Sequence, residues 1–494
     1  MNEIPNDIRV PLFYMEFDNS GAVTGTPAMV HRILAVGQLG TDATAQPFTH
    51  HRITQDEQAR ELFGDSMLTD MIYALRKAND YTELVAMGIA DLTEGNAASC
   101  KGFTFAGTAQ SGGTGYLMIG GKPVQFAIAQ DDTSSQIATK AIAAINKMNT
   151  VRGRELRVAA SSIQDDAASV MITAKHKGLT SNDIDLRINY YFGETLPKGV
   201  TCTVGQMANG SGMPDMVEIV SQMGTEWYNH IVMPYSDTAS VNTLNQELLD
   251  RWGPLAMQEM FAYQAFRGTH GETGTHGSQR NHHLFTCMGT NMMPTPPWEV
   301  AAGYAGVAAY HLAIAPARPL QTLSIPGVLP PSKEQQWDMI ERNLLLHDGI
   351  ATYFVDAAGE VCIEREITTY QVNKFGSPDP SYLDLTTPAT LGYFRYAMKV
   401  MITQRYPRHK LAGDDVLADL EPGQPVVTPS LLRDAFLEKY LELVGKGLVE
   451  DYATFEATLQ VVRNKDDKNR ADVYCHPNVI NGLRILASQS AFIL

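Results

Sequence analysis

Apolar positions along the chain recur with a spacing that switches between two and about 3.6 residues, and each switch marks a predicted element. Met29 to Val36 reads as a buried strand. Thr54 and Glu57 have capping-box spacing and open a predicted helix from Gln55 to Phe63. A second helix spans Ser66 to Asn79, with Met67, Met71 and Leu75 on one face, and a short apolar strand follows from Leu84 to Ile89. Before all of these, Ile8 to Phe17 is rich in strand formers but contains Pro11, which lacks a backbone donor and confines a strand to a sheet edge. That stretch reads as an arm.

Near residue 93 glycine, serine, threonine and alanine replace the helix formers, and near Gly205 to Pro214 the composition shifts back, so an inserted domain is placed between. In it, Tyr116–Ile119 and Pro123–Ile128 flank Gly120-Gly121 as a hairpin. A helix capped by Thr133 with Gln136 presents Ile137, Ala141, Ala144, Ile145 and Met148 on one face. Strands at Leu156–Ala160, Val170–Ala174, Ile184–Tyr190 and Val200–Val204 complete the insertion.

Beyond it the periods alternate: strand Asn229–Met233, helix Ser240–Trp252, strand Met260–Ala265, a glycine-rich stretch, strand Leu284–Met288, helix Trp298–Leu312. Such alternation implies βα units on a partly parallel sheet. A helix from Lys333 to Leu346 ends ahead of Gly349, which stands where a C′ glycine should. A hairpin pairs Ile350–Val355 with Val361–Tyr370, and a helix runs from about Pro388 to Arg405. A longer helix starts at Pro429 behind the cap Thr428, with Leu432, Phe436, Tyr440 and Leu443 facing inward. Strands Phe455–Val462 and Val479–Leu486 precede an uncharged tail, Ala487–Leu494. The fold class is mixed α/β in several domains.

Composition adds exclusions. At 494 residues, 44% hydrophobic and 19% charged, the chain can bury several cores. Five scattered cysteines without CxxC spacing suggest neither a disulfide framework nor a structural zinc, and read as buried thiols of a reducing compartment. A formal charge of −16 argues against nucleic acid and anionic lipid as partners. No apolar run approaches membrane-spanning length, and Met1 to Asp7 lack a basic n-region, so neither membrane insertion nor a signal peptide is expected.

Candidate chemistry is thin. His270, His276, His282 and His283 lie within fourteen residues but lack HExxH spacing, and are read as polar loop histidines and not as metal ligands. Gly120-Gly121-Lys122 fails as a phosphate loop because Pro123 stands where Ser or Thr is needed. GxSxG is absent, and Glu364 and Glu366 have the alternate spacing of a solvated strand face. No catalytic residue, cofactor or metal is assigned. One electrostatic feature stands apart: Arg395, Lys399, Arg405, Arg408 and Lys410 occur without a carboxylate among them, which suits docking onto an acidic partner.

Leu344-Leu-Leu-His-Asp-Gly-Ile350, then Gly359 with Val361, then Ile363-Glu-Arg-Glu-Ile-Thr-Thr-Tyr370 resembles the contractile tail sheath family. Tyr393-Phe-Arg-Tyr396 and Arg405-Tyr-Pro-Arg-His-Lys-Leu411 resemble the segment that follows. Ile4-Pro-Asn-Asp-Ile-Arg-Val-Pro11 and Glu16-Phe-Asp-Asn-Ser20 are similar to the phage Mu-like branch, so the resemblance covers nearly the whole chain. Its motif residues are Gly349, Ile350, Gly359, Arg365, Thr368, Thr369 and Tyr370.

The resemblance implies a structural subunit stacked as six-membered rings around a tail tube, contracting to drive that tube through a host envelope. It implies self, tube, baseplate and tail terminator proteins as partners, assembly in host cytoplasm, and a place in the virion. Domains are expected as an arm (1–25), an α/β sheath domain (26–92 and 206–345), an outward-facing insertion (93–205), a tube-facing C-terminal domain (346–486) and a terminal arm (487–494). Ile8, Val10, Leu12, Tyr14, Phe17, Phe492, Ile493 and Leu494 are the expected intersubunit arm residues, and the five cations above the tube-facing set. The alternatives are the sheath of a phage-derived injection device, or a soluble α/β hydrolase with an accessory β domain that uses the 270–283 histidines.

Overall fold

The computed structural model describes residues 28–419 and 424–493. Two units are distinguished, one formed by 30–392 with 481–493 and the other by 393–480. The first unit opens with strands β1 (Arg32–Gln38) and β2 (His50–Ile53), helices α1 (Asp56–Phe63) and α2 (Met67–Ala78), and strand β3 (Glu83–Ile89). There follow β4 (Ala97–Gly107), β5 (Gly113–Ile119), β6 (Lys122–Ile128), α3 (Ser134–Met148), β7 (Val158–Ile163), β8 (Asp166–Lys177), β9 (Leu186–Ile188) and β10 (Val200–Val204). After α4 (Met216–Gln222) the alternation resumes with β11 (His230–Val232), α5 (Thr238–Trp252), β12 (Phe261–Arg267), α6 (His270–Ser278), β13 (Phe285–Asn291) and α7 (Pro297–Ile314). Helix α8 (Met339–His347) and the hairpin β14 (Thr352–Val355) and β15 (Val361–Arg365) lead into α9 (Thr386–Arg405).

The central sheet has the order β13-β12-β11-β1-β3-β2, parallel except for β2 on its edge. A parallel sheet is covered on both faces, which is why β1 is almost wholly apolar and β13 is buried along its whole length. Helix α7 is buried nearly all round. A Cβ on its Gly306 would stand 2.9 Å from Ala78 Cβ and 3.0 Å from the Leu75 carbonyl of α2, so only glycine permits this approach. The 93–205 stretch forms an antiparallel sheet, β10-β4-β8-β7, and a second, β6-β5-β9, with α3 against both. Gly120 and Gly121 take φ of +53° and +75°, the hairpin geometry their pairing predicts, and the Thr133–Gln136 capping box forms.

Several expectations need correction. The glycine-rich stretch after β12 is helix α6, begun by a Thr269–Glu272 capping box. Two of its three glycines stand at contacts: a Cβ on Gly277 would overlap the Asp348 carbonyl, and one on Gly274 would lie 2.7 Å from an Asp348 carboxylate oxygen. The expected helix 333–346 is a single 3-10 turn, Lys333–Gln335, then α8, restarted by the Asp338–Glu341 capping box. Thr54 does not cap α1; the Gln58 side chain accepts from its backbone N–H instead. The long strand β4 is absent from the sequence reading, because its alternation is carried by small residues.

In the second unit, α10 (Pro429–Gly445) is capped by Thr428 with Pro429 at its first turn, and buries Leu432, Phe436, Tyr440 and Leu443 as its spacing predicts. Tyr440 stacks on Phe455 with centroids 3.7 Å apart. Phe455 sits on a helix, α11 (Tyr452–Thr458), where a strand from 455 is expected, and only Gln460–Arg463 is extended, paired with Ala471–Tyr474. The expected strand 479–486 reduces to Asn478–Val479, paired with Val449–Glu450.

Candidate assembly site

The segment from α8 to α9 is built on unusual backbone and fully placed polar groups. Gly349, at φ +78°, ends α8 and lets the Gln371 side chain and the Thr369 carbonyl come within about 3 Å of where a Cβ would be. Ile350, wholly buried, turns the chain so that Ala351 bridges Met288 of β13. Gly359, at φ +86°, closes the β14–β15 turn, where Asp356 accepts from the backbone of Ala358 and Glu360.

Past β15 the chain becomes a strap whose threonines replace sheet hydrogen bonds. The Thr368 hydroxyl donates to the Tyr382 carbonyl at 2.7 Å, and that of Thr369 to the His282 carbonyl at 3.1 Å. Both threonines are buried, and the Tyr370 hydroxyl reaches Asp379 at 2.7 Å. An unmade hydrogen bond at such positions costs about 1–3 kcal/mol, which explains why β-branched residues with a hydroxyl stand there.

Charge is fixed in the same place. Arg342 holds Glu364 through two contacts of 3.1 and 2.9 Å, and Arg365 holds Asp384 through contacts of 2.9 and 3.1 Å. Glu366 is 0% exposed and takes Arg484 in a bidentate pair of 2.5 and 3.1 Å, with Asp384 3.2 Å from the same guanidinium. Burial pulls the Arg484 guanidinium down, but Glu366 and Asp384 more than offset it and leave its pKa raised. Glu364 and Glu366 are therefore clamped, not solvated. Local pattern could not show this, because the partner of Glu366 arrives 118 residues later. One signal was available: Arg484 is the lone charged side chain between Val479 and Leu494.

Arg484 is also where the terminal segment leaves the fold. Around and beyond it Leu483, Ile485 and Leu486 are exposed, and Phe492 and Ile493 are 85% and 99% exposed. Leu494 and the N-terminal arm residues Ile8, Val10, Leu12, Tyr14 and Phe17 lie outside the described residues.

Of the expected tube-facing cations, Lys399, Arg408 and Lys410 are exposed and Arg395 is partly buried. Arg405 is engaged within its own unit, bonding Glu438 at 2.5 and 2.8 Å. Lys410 pairs through its backbone with Val426. The histidines diverge: His270 Nε2 meets the Glu341 carbonyl at 2.9 Å, His276 stacks on Phe266 at 3.9 Å, His282 lies against Phe285 and His283 against Tyr382. Burial drives His276 down to about 3 and His282 and His283 to about 4, so all three are neutral. Among the described residues no group of three His, Cys, Asp or Glu side chains is placed to hold a metal.

Residues 209–369 match the phage tail sheath protein central domain, and residues 377–493 the phage tail sheath C-terminal domain. The Mu-like prophage FluMu tail sheath protein of Haemophilus influenzae is 40% identical over 494 residues, covering 100% of this chain and 99% of the relative. The chain belongs to the phage tail sheath family. Its resemblance to the Mu-like branch is thereby borne out along its whole length, and this is a family of structural tail proteins. Among solved sheath tail proteins, that of Desulfitobacterium hafniense is 12% identical with a TM-score of 0.47, covering 95% of this chain and 100% of its own. That of Listeria innocua is 11% identical with a TM-score of 0.46, covering 92% and 96%. The clamped strap, with its two motif glycines, thus spans the end of the sheath central domain and the start of the C-terminal one.

Proposed function

We propose that this sheath protein polymerises as six-membered rings stacked around a tail tube, and that the stack shortens to drive the tube through a host envelope during genome ejection. Its work comes from repacking against copies of itself, without a catalytic site or cofactor. The observation that carries this reading is the C-terminal segment: bolted at its base by Arg484 in a buried pair, and apolar and solvent-exposed beyond it. Such a segment suits strand addition to a neighbour's sheet edge, with Phe492, Ile493 and Leu494 each contributing about 1.5–3 kcal/mol on burial. The N-terminal arm, with Ile8, Val10, Leu12, Tyr14 and Phe17, is assigned the same role.

A sheath must shorten without coming apart, which calls for ties that persist while globular bodies slide. Lys399, Arg408 and Lys410, with Arg395 and Arg405 at their margins, form the surface offered to the tube. Exposed ion pairs there give roughly 0–1 kcal/mol each and weaken with salt, so the grip releases before the ties do. The 93–205 stretch is assigned to the outside of the sheath, and baseplate and terminator proteins to its two ends. The subunit would assemble in host cytoplasm and reside in the virion. Negative-stain microscopy of purified protein tests the reading: rings or tubular polymers are expected, and compact monomers at all concentrations would reject it.

A further inference from the structure

The Gly120-Gly121 hairpin turn of the 93–205 stretch packs just ahead of α7. A Cβ on Gly120 would stand 3.6 Å from Pro296 Cγ, and one on Gly121 3.3 Å from Thr295 Cα. That seating delivers Lys122, the first residue of β6, to Asp70 on α2, where Nζ donates to Oδ1 at 2.9 Å. The Glu155 carbonyl accepts from the same Nζ at 2.7 Å. The Asp70 side chain is 4% exposed and that of Lys122 25%. Arg157 Nε stands 2.8 Å from the other carboxylate oxygen, Oδ2.

An amine and a carboxyl group so placed are the two halves of an amide. In water they do not condense, because hydration holds each in its ionised form; burial weakens that preference. Here burial lifts Asp70 toward the protonated acid, and Lys122 only partly reverses the shift. Burial also acts against the Lys122 ammonium, but Asp70 and Glu299 offset it and leave its pKa raised. The free amine therefore arises by passing a proton to Asp70 along the 2.9 Å contact. The lone pair uncovered by that transfer lies on the former N–H axis and faces the carboxyl group.

A third group completes the set. Glu299, in the first turn of α7, lines a cavity of about 160 Å³ together with Asp70 and Lys122. Burial, reinforced by Asp70, holds its carboxyl up at about 8, so at neutral pH it carries a proton into the same space as the pair.

We propose that Lys122 and Asp70 condense spontaneously to an isopeptide bond, a covalent cross-link that ties the 93–205 stretch to the central sheet. Lys122 Nζ attacks Asp70 Cγ, and the carbonyl electron pair moves onto Oδ2, where Arg157 Nε stabilises the developing charge. Glu299 gives its proton to Oδ1 and takes one from Nζ across the shared cavity, which has room for a bridging water. The Cγ–Oδ1 bond breaks, water leaves, the pair on Oδ2 restores the carbonyl, and Glu299 ends protonated as it began. One C–N bond is gained and one C–O bond lost, with no oxidant or cofactor. Fixed orientation takes the place of chemical activation of the acid. The reaction does not depend on how the subunit assembles; in the lattice proposed above, the bond would keep the 93–205 stretch on its body under load.

Intact-mass spectrometry of the full-length chain, denatured after folding, tests this. A mass below that of the sequence by one water is expected. Trypsin should release one branched peptide joining residues 61–76 to 102–140, since Pro123 shields Lys122 from cleavage. Lys122→Arg keeps a cation against Asp70 but no amine able to form the bond, so the chain should fold and regain the full mass. Glu299→Gln should slow bond formation by at least about tenfold in a time course from synthesis. The full mass in a folded parent chain, a deficit without the branched peptide, or a deficit that survives Lys122→Arg would each overturn the cross-link. Bond formation at the parent rate in Glu299→Gln would overturn the proton transfer assigned to Glu299.

Discussion

Two regions of this protein use basic side chains in opposite ways. Around the strap, Arg342, Arg365 and Arg484 are each held by a carboxylate with two contacts, and Glu366 is sealed from solvent. Along α9 and the loop after it, Lys399, Arg408 and Lys410 stand in water. The same charge gives fixation where water is excluded and a reversible, salt-screened attraction where it is not. The contractile lattice proposed above would need both, and the chain carries them on different segments.

The largest effect is expected at the buried pair. Arg484→Met leaves Glu366 charged and alone, and should cost about 3–5 kcal/mol in denaturant unfolding. Adding Glu366→Gln should restore much of that, since neither a buried charge nor an unmet cation then remains. If the single and double variants unfold at the same midpoint, the pair is not coupled and Arg484 is not the bolt of the terminal segment.

Next comes the segment beyond the bolt. Removal of residues 491–494 deletes Phe492, Ile493 and Leu494, worth about 1.5–3 kcal/mol each in a lattice and little in a monomer, where Phe492 and Ile493 are exposed. Sedimentation should show a subunit of unchanged stability that no longer polymerises. Tubular sheaths from the truncated chain would show that the exposed apolar end is not a tie.

Acid probes the buried histidines. His31, His176, His276, His282 and His283 are pulled by burial to between about 3 and about 4, below the ordinary 6.5. The unfolded chain therefore binds more protons than the folded one from about pH 6.5 downward. Stability is fully present above 6.5 and falls as pH drops, by at most about 1.4 kcal/mol per pH unit for each histidine. His276→Phe preserves the stacking on Phe266 and should reduce the slope by one proton between pH 6 and pH 4, measured by denaturant titration at each pH. An unchanged slope would mean that His276 is not held neutral.

Much of this division was legible in the residues. Hydrophobic period placed β1, α2, β3, α7 and α10 closely, because each buries a face or a whole length that sequence spacing records. Helix α6 was hidden, since its three glycines, of which Gly274 and Gly277 stand against Asp348 and Ile350, weaken every local sign of a helix except its capping box. The Glu366–Arg484 pair was hidden for a related reason. Glutamate at alternate strand positions ordinarily faces water, and only a distant arginine in a terminal run reverses that. The exposed cations were visible as a charge cluster, but the engagement of Arg405 by Glu438 on α10 was not, because helix pairing brings them together across 33 residues.

The smallest effect belongs to the exposed cations. Lys399→Glu with Arg408→Glu should leave unfolding within about 0.5 kcal/mol of the parent, because surface substitutions rarely move stability further. Sheath–sheath polymerisation should be unaffected, while co-assembly with purified tube should weaken at low salt and converge on the parent as salt rises toward half-molar, where the Debye length is about 4 Å. Arg405→Gln, which releases Glu438, should instead lower stability slightly without changing the salt dependence. If Arg405→Gln and the double reversal alter tube binding alike, the line between engaged and available charge along this segment is drawn in the wrong place. If neither alters it, the tube is held by apolar contact and the cations only keep the surface soluble.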